Sequence, residues 1–109
     1  MSDRHDSERR RLAALAALTQ ASGTEAGEGS VDLFISHHLE EMPPAYWQQH
    51  LGTSTPGPAA VLSLLTLRSS WGRDELEYFD FTLPGDVTQY VVSVHFDESG
   101  VVDDLSMES

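Results

Sequence analysis

Apolar and polar residues alternate along the second half of the chain. The alternation covers residues 76–83, 88–97 and 101–107, and turns that contain glycine separate the three segments. Alternating residues on both sides of such a turn are the strongest short-range signal of a β-hairpin. Two hairpins in succession predict an antiparallel meander, and residues 65–71 read as a further strand ahead of it.

The first half follows the helical period instead. Apolar residues from Val31 to Met42 recur every three or four positions, which predicts an amphipathic helix capped by Ser30. A short helix follows between Pro44 and Gly52 because proline is favoured at the first helical position. A fourth helix is predicted with Thr55 as its cap and Pro56 as its first residue.

The chain begins with a further predicted helix, capped by Ser7 and stopped by Gly23. Its apolar stripe is narrow and consists of Leu12, Leu15 and Leu18 with small neighbours. We expect a flexible linker over residues 24–30 because the segment is polar and rich in glycine.

Parity places every second residue of a strand on the same face. The predicted core face carries Leu65, Leu67, Ser69 and Trp71, then Glu77, Phe79, Phe81 and Leu83, then Thr88, Tyr90, Val92, Val94 and Phe96, then Val101, Asp103, Leu105 and Met107. Four-residue links would pair Phe81 with Tyr90, Phe79 with Val92 and Val92 with Leu105. The opposite face, to which Val102 is assigned, is polar. The same register predicts an ion pair between Arg68 and Asp80.

These elements predict an α+β fold, a two-layer sandwich. N-terminal helices pack on one face of a C-terminal antiparallel meander of three to four strands. We expect residues 1–29 to form an N-terminal helix and linker, and residues 30–109 to form a single sandwich domain.

Charge is distributed unevenly along the chain. Eighteen acidic residues against six basic ones give a net charge of −12, and four of the six arginines lie within the first eleven positions. Only Arg68 and Arg73 follow. Such a body repels nucleic acid and anionic lipid, so no nucleic-acid or membrane partner is expected. Solubility or a basic protein partner accounts for the charge.

The composition also limits the chemistry. The chain has no cysteine, which leaves only histidine and carboxylates as metal ligands, and no cofactor is expected. No apolar run approaches the roughly 20 residues that span a bilayer. The segment after Arg9 imitates a signal peptide but is short and alanine-rich, so we predict a helix and a cytoplasmic protein.

Two histidine clusters suggest chemistry. His37 and Glu41 lie four apart on the outer face of a predicted helix, but no second histidine completes a zinc motif, and His38 points into the apolar stripe. We predict an exposed His37–Glu41 pair and a hydrogen-bonded core histidine. Acidic residues around Gly100 resemble a calcium loop in composition only, and a turn explains them better.

The second cluster lies on the polar sheet face. Tyr78, Ser93, His95, Asp80 and Asp104 would converge there, and histidine beside carboxylates is the usual start of acid–base catalysis. A flat sheet face excludes water poorly, however, and no nucleophile elbow accompanies it. Trp47 and Trp71 are predicted to pack in the core or at its rim.

Four stretches of the chain are distinctive: Ser-Ser-Trp-Gly at 69–72, residues 78–100 beginning Tyr-Phe-Asp-Phe-Thr-Leu-Pro, the closing Ser-Met-Glu-Ser at 106–109, and residues 38–52. Together they resemble a family of small bacterial domains of unknown function. The resemblance spans about residues 30–109 and leaves the arginine-rich helix outside. It implies a two-layer sandwich, and it implies neither an activity nor catalytic residues.

The leading hypothesis is therefore a non-enzymatic acidic domain that binds an unidentified protein, such as a basic toxin or nuclease that it inhibits. The candidate face comprises Arg68, Tyr78, Asp80, Ser93, His95, Asp104 and Glu108. One alternative is a small hydrolase or metal-dependent enzyme that uses His95 or His37 with nearby carboxylates. Another is a subunit that self-associates through the first helix or the open sheet face.

Overall fold

The computed structural model describes the backbone of residues 2–109 and the side chains from His5 onward. Four helices precede four strands. The helices are α1 (Ser2–Ala21), α2 (Val31–Glu41), α3 (Pro44–Leu51) and α4 (Pro58–Leu64). The strands are β1 (Thr66–Trp71), β2 (Tyr78–Thr82), β3 (Val91–Phe96) and β4 (Val102–Glu108). Consecutive strands pair antiparallel in the order β1-β2-β3-β4, which confirms the predicted α+β sandwich.

The core lies between the helices and one face of the sheet. Phe79, Phe81 and Phe96 are fully or almost fully buried and meet Phe34 of α2 and Leu18 of α1 in one apolar cluster. Burial of large apolar side chains is the main term that stabilises such a domain, at roughly 2–3 kcal/mol for each one. None of the helices in the described part of the chain combines the length and apolar character needed to cross a bilayer.

The first helix belongs to this core. Ala14, Leu18 and Ala21 of α1 are buried against the remainder of the domain, whereas Leu12 is 55% exposed. The prediction of a stripe that includes Leu12 was wrong, and so was the predicted start at Ser7, because the helix begins at Ser2. Alanine permits close approach, so α1 packs through small residues that a search for large apolar side chains passes over.

The segment between α1 and α2, for which a flexible linker is predicted, contains regular backbone structure. Glu25–Gly27 forms a 3₁₀ turn, and successive backbone hydrogen bonds connect it to both helices. Gly27 is buried there: a Cβ atom at this position would lie 2.4 Å from the carbonyl oxygen of Ala21. Close packing of two backbones therefore requires this glycine.

The remaining helices follow the prediction closely. Val31, Phe34, Ile35 and His38 form the buried face of α2, and Tyr46 and Trp47 are buried on α3. The start of α4 was predicted two residues early: Gly57 is its N-cap and Pro58 its first residue. Proline at 58 supplies the helical φ, while proline at 56 lies in the preceding loop.

The strand register differs from the prediction by two residues. Phe79 pairs with Val94, Phe81 with Val92, and Val92 with Met107. The turn between β2 and β3 is longer than four residues because α2 and α3 hold it: Tyr46 donates to the carbonyl of Pro84 at 2.7 Å, and His38 bonds Thr88 at 2.9 Å. A shift by two preserves parity, so these side chains still face the core.

A bulge in β4 corrects the assignments at its start. His95 pairs with Asp104, but Phe96 pairs with Val102, which leaves Asp103 as the extra residue. Val102 packs against the core cluster in place of the predicted Val101, which is 59% exposed. The predicted core position of Asp103 was therefore wrong.

Candidate functional site

The sheet face opposite the helices carries two cross-strand rows of side chains. One row runs Trp71, Tyr78, His95 and Asp104 across the four strands. The second row, two positions along, consists of Ser69, Asp80, Ser93 and Ser106. Direct cross-strand neighbours lie about 5 Å apart, so each row forms a continuous surface.

Trp71 reaches this face through a bulge in β1. The register shifts between Leu67, which pairs with Phe81, and Ser69, which pairs with Asp80. The extra residue is Arg68, and it transfers Ser69 and Trp71 to the open face. The prediction of both residues on the core face was wrong for this reason. The predicted Arg68–Asp80 ion pair was also wrong, since Ser69 lies opposite Asp80 and an Arg68 guanidinium N–H instead approaches the carbonyl of Gln89 at 3.5 Å.

Two contacts fix the indole of Trp71. Its ring stacks on Tyr78 with centroids 4.0 Å apart and planes 10° apart, and its Nε1–H donates to Asp80 Oδ2 at 3.0 Å. Trp71 as a residue remains 48% exposed, whereas Trp47 is 2% exposed in the core. The open face thus presents a large aromatic surface in a single orientation.

A groove of about 620 Å³ crosses the open face beside these rings. Five of the seven candidate residues line it, namely Arg68, Tyr78, Asp80, Ser93 and Glu108. The other lining residues include Trp71, Ser69, Val91 and Ser106, and none of the described lining residues lies on a helix. His95 adjoins it through Tyr78, with ring centroids 4.6 Å apart, and Asp104 lies beyond His95.

His95 is clamped between two carboxylates. Its Nδ1 lies 2.5 Å from Asp103 Oδ1 and its Nε2 lies 2.9 Å from Glu77 Oε2. Two carboxylates that both accept require a proton on each ring nitrogen, so the arrangement favours the imidazolium form. The bonds to Asp103 and then Glu77 raise the pKa of His95 above its ordinary 6.5. The bond from His95, followed by one from the backbone N–H of Arg73, lowers the pKa of Glu77.

A second concavity, of about 400 Å³, surrounds this cluster. Arg10 of α1 forms one wall: it donates to the carbonyl of Leu76 at 3.1 Å, and its guanidinium carbon lies 5.3 Å from the centre of the Phe96 ring. Arg73, Glu98 and Asp97 complete the rim. In its imidazolium form His95 can donate a proton, and it then has no free nitrogen with which to accept one.

The histidines of α2 do not join either concavity. Nδ1 of His38 donates to the carbonyl of Phe34 at 2.7 Å, and Nε2 accepts from the hydroxyl of Thr88. Burial lowers the pKa of His38, so the ring is neutral, as expected for a core histidine. His37 does not pair with Glu41 and instead packs on Tyr90 with ring centroids 4.9 Å apart.

In the described part of the chain, no group of three or more histidine and carboxylate side chains has the geometry of a metal site. The acidic loop before β4 is a turn: Asp97 Oδ1 accepts from the backbone N–H groups of Ser99 and Val101 and from the Ser99 hydroxyl. Gly100 has φ of 84°, in the left-handed region.

Sequence reasoning missed Trp71, Glu77 and Asp103 as members of the open face or its neighbouring cluster. Parity assigned all three to the core, and each was displaced by a bulge or a strand end. A signal existed for the two acids, because a buried carboxylate on a core face would be costly without a partner. No comparable signal identified Trp71.

No protein-family model, curated protein or solved structure matches the chain.

Proposed function

We propose that the chain is a non-enzymatic protein-binding domain whose open sheet face docks a partner with a basic surface. A small inhibitor of a basic toxin or nuclease fits this description. The observation that carries the proposal is the groove beside the fixed Trp71–Tyr78 stack. Its wall includes the carboxylates of Asp80 and Glu108. The cytoplasmic setting and the resemblance to bacterial domains of unknown function belong to the same proposal and rest on the sequence alone.

Preorganised aromatic residues support this function. Exposed tryptophan and tyrosine are the residues that most often dominate binding energy at protein interfaces. An aromatic ring already held in one orientation loses little side-chain entropy when a partner binds. Trp71 meets this condition because it is stacked on Tyr78 and hydrogen-bonded to Asp80.

The charge of the body supports a basic partner. With a net charge of −12, the chain attracts cationic surfaces over several ångströms and accelerates their encounter. Among the residues whose side chains the structure describes, Arg68 is the only arginine that lines the groove. The complementary surface is therefore one rich in arginine and lysine.

Site-specific cross-linking tests the proposal. A photoreactive p-benzoylphenylalanine is placed at Ser69 in the groove, and a matched one at Leu12, which is exposed on α1 in the helical layer. Irradiation in an extract of the organism that carries the gene should give an adduct at position 69 that is absent at position 12.

The partner identified in this way is then purified and titrated by calorimetry. We expect binding that weakens as salt rises from 0.05 to 0.3 M, and weakens further in the Asp80→Asn, Glu108→Gln double variant. Adducts that do not differ between the two positions, or binding that does not respond to salt, would contradict the proposal.

The acid–base cluster gives the second candidate, a hydrolase or metal-dependent enzyme that uses His95. The specific observation in its favour is the imidazole ring of His95 held between Glu77 and Asp103 in a concavity, an arrangement that favours its protonated form. Such a ring is suited to donate a proton to a leaving group. A panel of ester and phosphoester substrates tests it: activity should vanish in His95→Ala and survive in His37→Ala, and absence of any turnover by the native chain argues against it.

A further inference from the structure

We infer that the indole of Trp71 binds an arginine side chain of the protein partner. This inference rests on the proposed function and specifies the chemistry of its central contact. It concerns the residue that parity had placed in the core.

The indole is available on one side only. Tyr78 covers one of its faces, with ring centroids 4.0 Å apart, and the hydrogen bond from Nε1 to Asp80 holds the ring against the sheet. Because Trp71 remains 48% exposed on an edge strand, the outer face is open to a flat group from another molecule. A planar guanidinium stacks on such a face, and tryptophan is the best aromatic partner for a cation.

Negative charge beside the ring favours a cation, because Asp80 and Glu108 outnumber Arg68 among the charged residues that line the groove. Asp80 uses Oδ2 for Trp71, while its Oδ1 is shielded from solvent and has no hydrogen-bond partner among the described residues. Because this oxygen is shielded and has no hydrogen-bond partner, the charge of Asp80 is weakly screened, which raises its attraction for an approaching cation. Glu108 adds a further negative charge to the groove wall.

The proposed contact can be tested with small probes on the whole chain. The chain contains two tryptophans, so its ¹⁵N-labelled form has two indole N–H signals, and Trp71→Phe identifies one of them. The labelled protein is titrated with N-acetyl-arginine amide, N-acetyl-lysine amide and N-acetyl-citrulline amide. Citrulline retains the shape of arginine and removes its charge.

We expect arginine to shift the Trp71 signal and leave the buried Trp47 signal in place. Lysine should bind more weakly, and citrulline at least about threefold more weakly, as expected for a cation over an exposed ring. Asp80→Asn should weaken arginine binding, since asparagine retains an acceptor for the indole and removes the charge. Asp86→Asn is the matched control: it removes the same charge from the β2–β3 loop, at a φ of 55° that asparagine tolerates.

Equal shifts with citrulline, a larger response to the neutral disaccharide cellobiose, or equal effects of Asp80→Asn and Asp86→Asn would overturn the inference. The outcome is separable from that of the proposed function. Cross-linking at Ser69 that captures a basic partner, combined with no arginine preference at Trp71, would reject the arginine contact and leave the docking face standing.

Discussion

At the scale of single residues, His95 makes stability depend on pH in two directions. Its pKa is raised in the folded state, so its stabilising effect is complete below its ordinary 6.5 and is lost as pH rises through the folded pKa. Glu77 has a lowered pKa, so its effect is present above its ordinary 4.5 and is lost as pH falls through the folded pKa. Together they stabilise most between these limits.

We therefore predict that His95→Gln lowers the free energy of unfolding most between pH 5 and 6.5, and less at pH 9. Glutamine carries no positive charge and has one amide nitrogen in place of two ring nitrogens, so Glu77 and Asp103 lose the imidazolium that lies between them. Urea unfolding followed across pH measures this difference. His5→Gln, at an exposed position of α1, is the control. A deficit of the same size at pH 6 and pH 9 would refute the clamp as a source of pH dependence.

Backbone conformation gives a second prediction at this scale. Asp74 and Glu75 both have positive φ, 57° and 59°, in the link between β1 and β2. The left-handed region costs a non-glycine residue roughly 1–2 kcal/mol, and aspartate tolerates it better than glutamate. Glu75→Gly should thus stabilise the domain by about 0.5–1 kcal/mol, after the entropy of glycine in the unfolded chain is subtracted.

A glutamate-to-glycine substitution at a position with negative φ should instead lower the stability of the domain. Glu28 has a φ of −55°, in the right-handed region, so Glu28→Gly adds unfolded-state entropy and relieves no strain. Chemical denaturation of the two variants side by side provides the comparison. If both lose stability, the link before β2 stores no strain that glycine can release.

At the scale of elements, the position of α1 is the main finding. Leu18 is fully buried in the core and Leu12, on the same helix, is 55% exposed. We predict that Leu18→Ala costs about 2–4 kcal/mol, as for other buried leucines. Leu12→Ala should change stability by less than about 0.5 kcal/mol. Thermal unfolding measures both, and similar effects at the two positions would mean that α1 does not dock as described.

Elements with strong periodicity could be predicted from the sequence. The buried face of α2 and the inward positions of β2 and β3 could be predicted from the spacing of apolar residues. Phe34 lies in a series with the helical period, and Phe79 and Val92 lie in series that alternate as in a strand. The bulges at Arg68 and Asp103 could not be predicted, since each depends on pairing with a neighbouring strand. One extra residue in a strand moves every side chain after it to the opposite face of the sheet. For this reason Trp71 lies on the open face and not in the predicted core.

The candidate site likewise contains residues that could be predicted and residues that could not. Its central residues, Tyr78, Asp80 and Ser93, lie on unbroken ladder positions and were placed on the open face by parity. The aromatic stack and the carboxylate clamp lie next to bulges or strand ends. Prediction was therefore weakest where the structure has most of its distinctive chemistry.

At the scale of the whole molecule, charge and compactness oppose each other. The radius of gyration is 13.9 Å, close to the roughly 13 Å expected for a domain of this length, so a net charge of −12 is confined to a small volume. Self-repulsion of this kind destabilises the compact state, and salt screens it. The ion pairs Arg9–Asp6 and Arg11–Glu8 are exposed and contribute little to stability, so their screening by salt costs little.

Added salt should therefore stabilise the free chain against unfolding and weaken its binding to a basic partner. We predict that the midpoint of thermal unfolding of the free chain rises from 0.01 to 0.15 M NaCl, where the Debye length falls from about 30 to about 8 Å. Affinity for a basic partner falls over the same range because the same screening weakens attraction. Calorimetry in NaCl and KCl at matched ionic strength separates screening from specific ion binding. If salt strengthened both or weakened both, the acidic body would not be the source of partner selection.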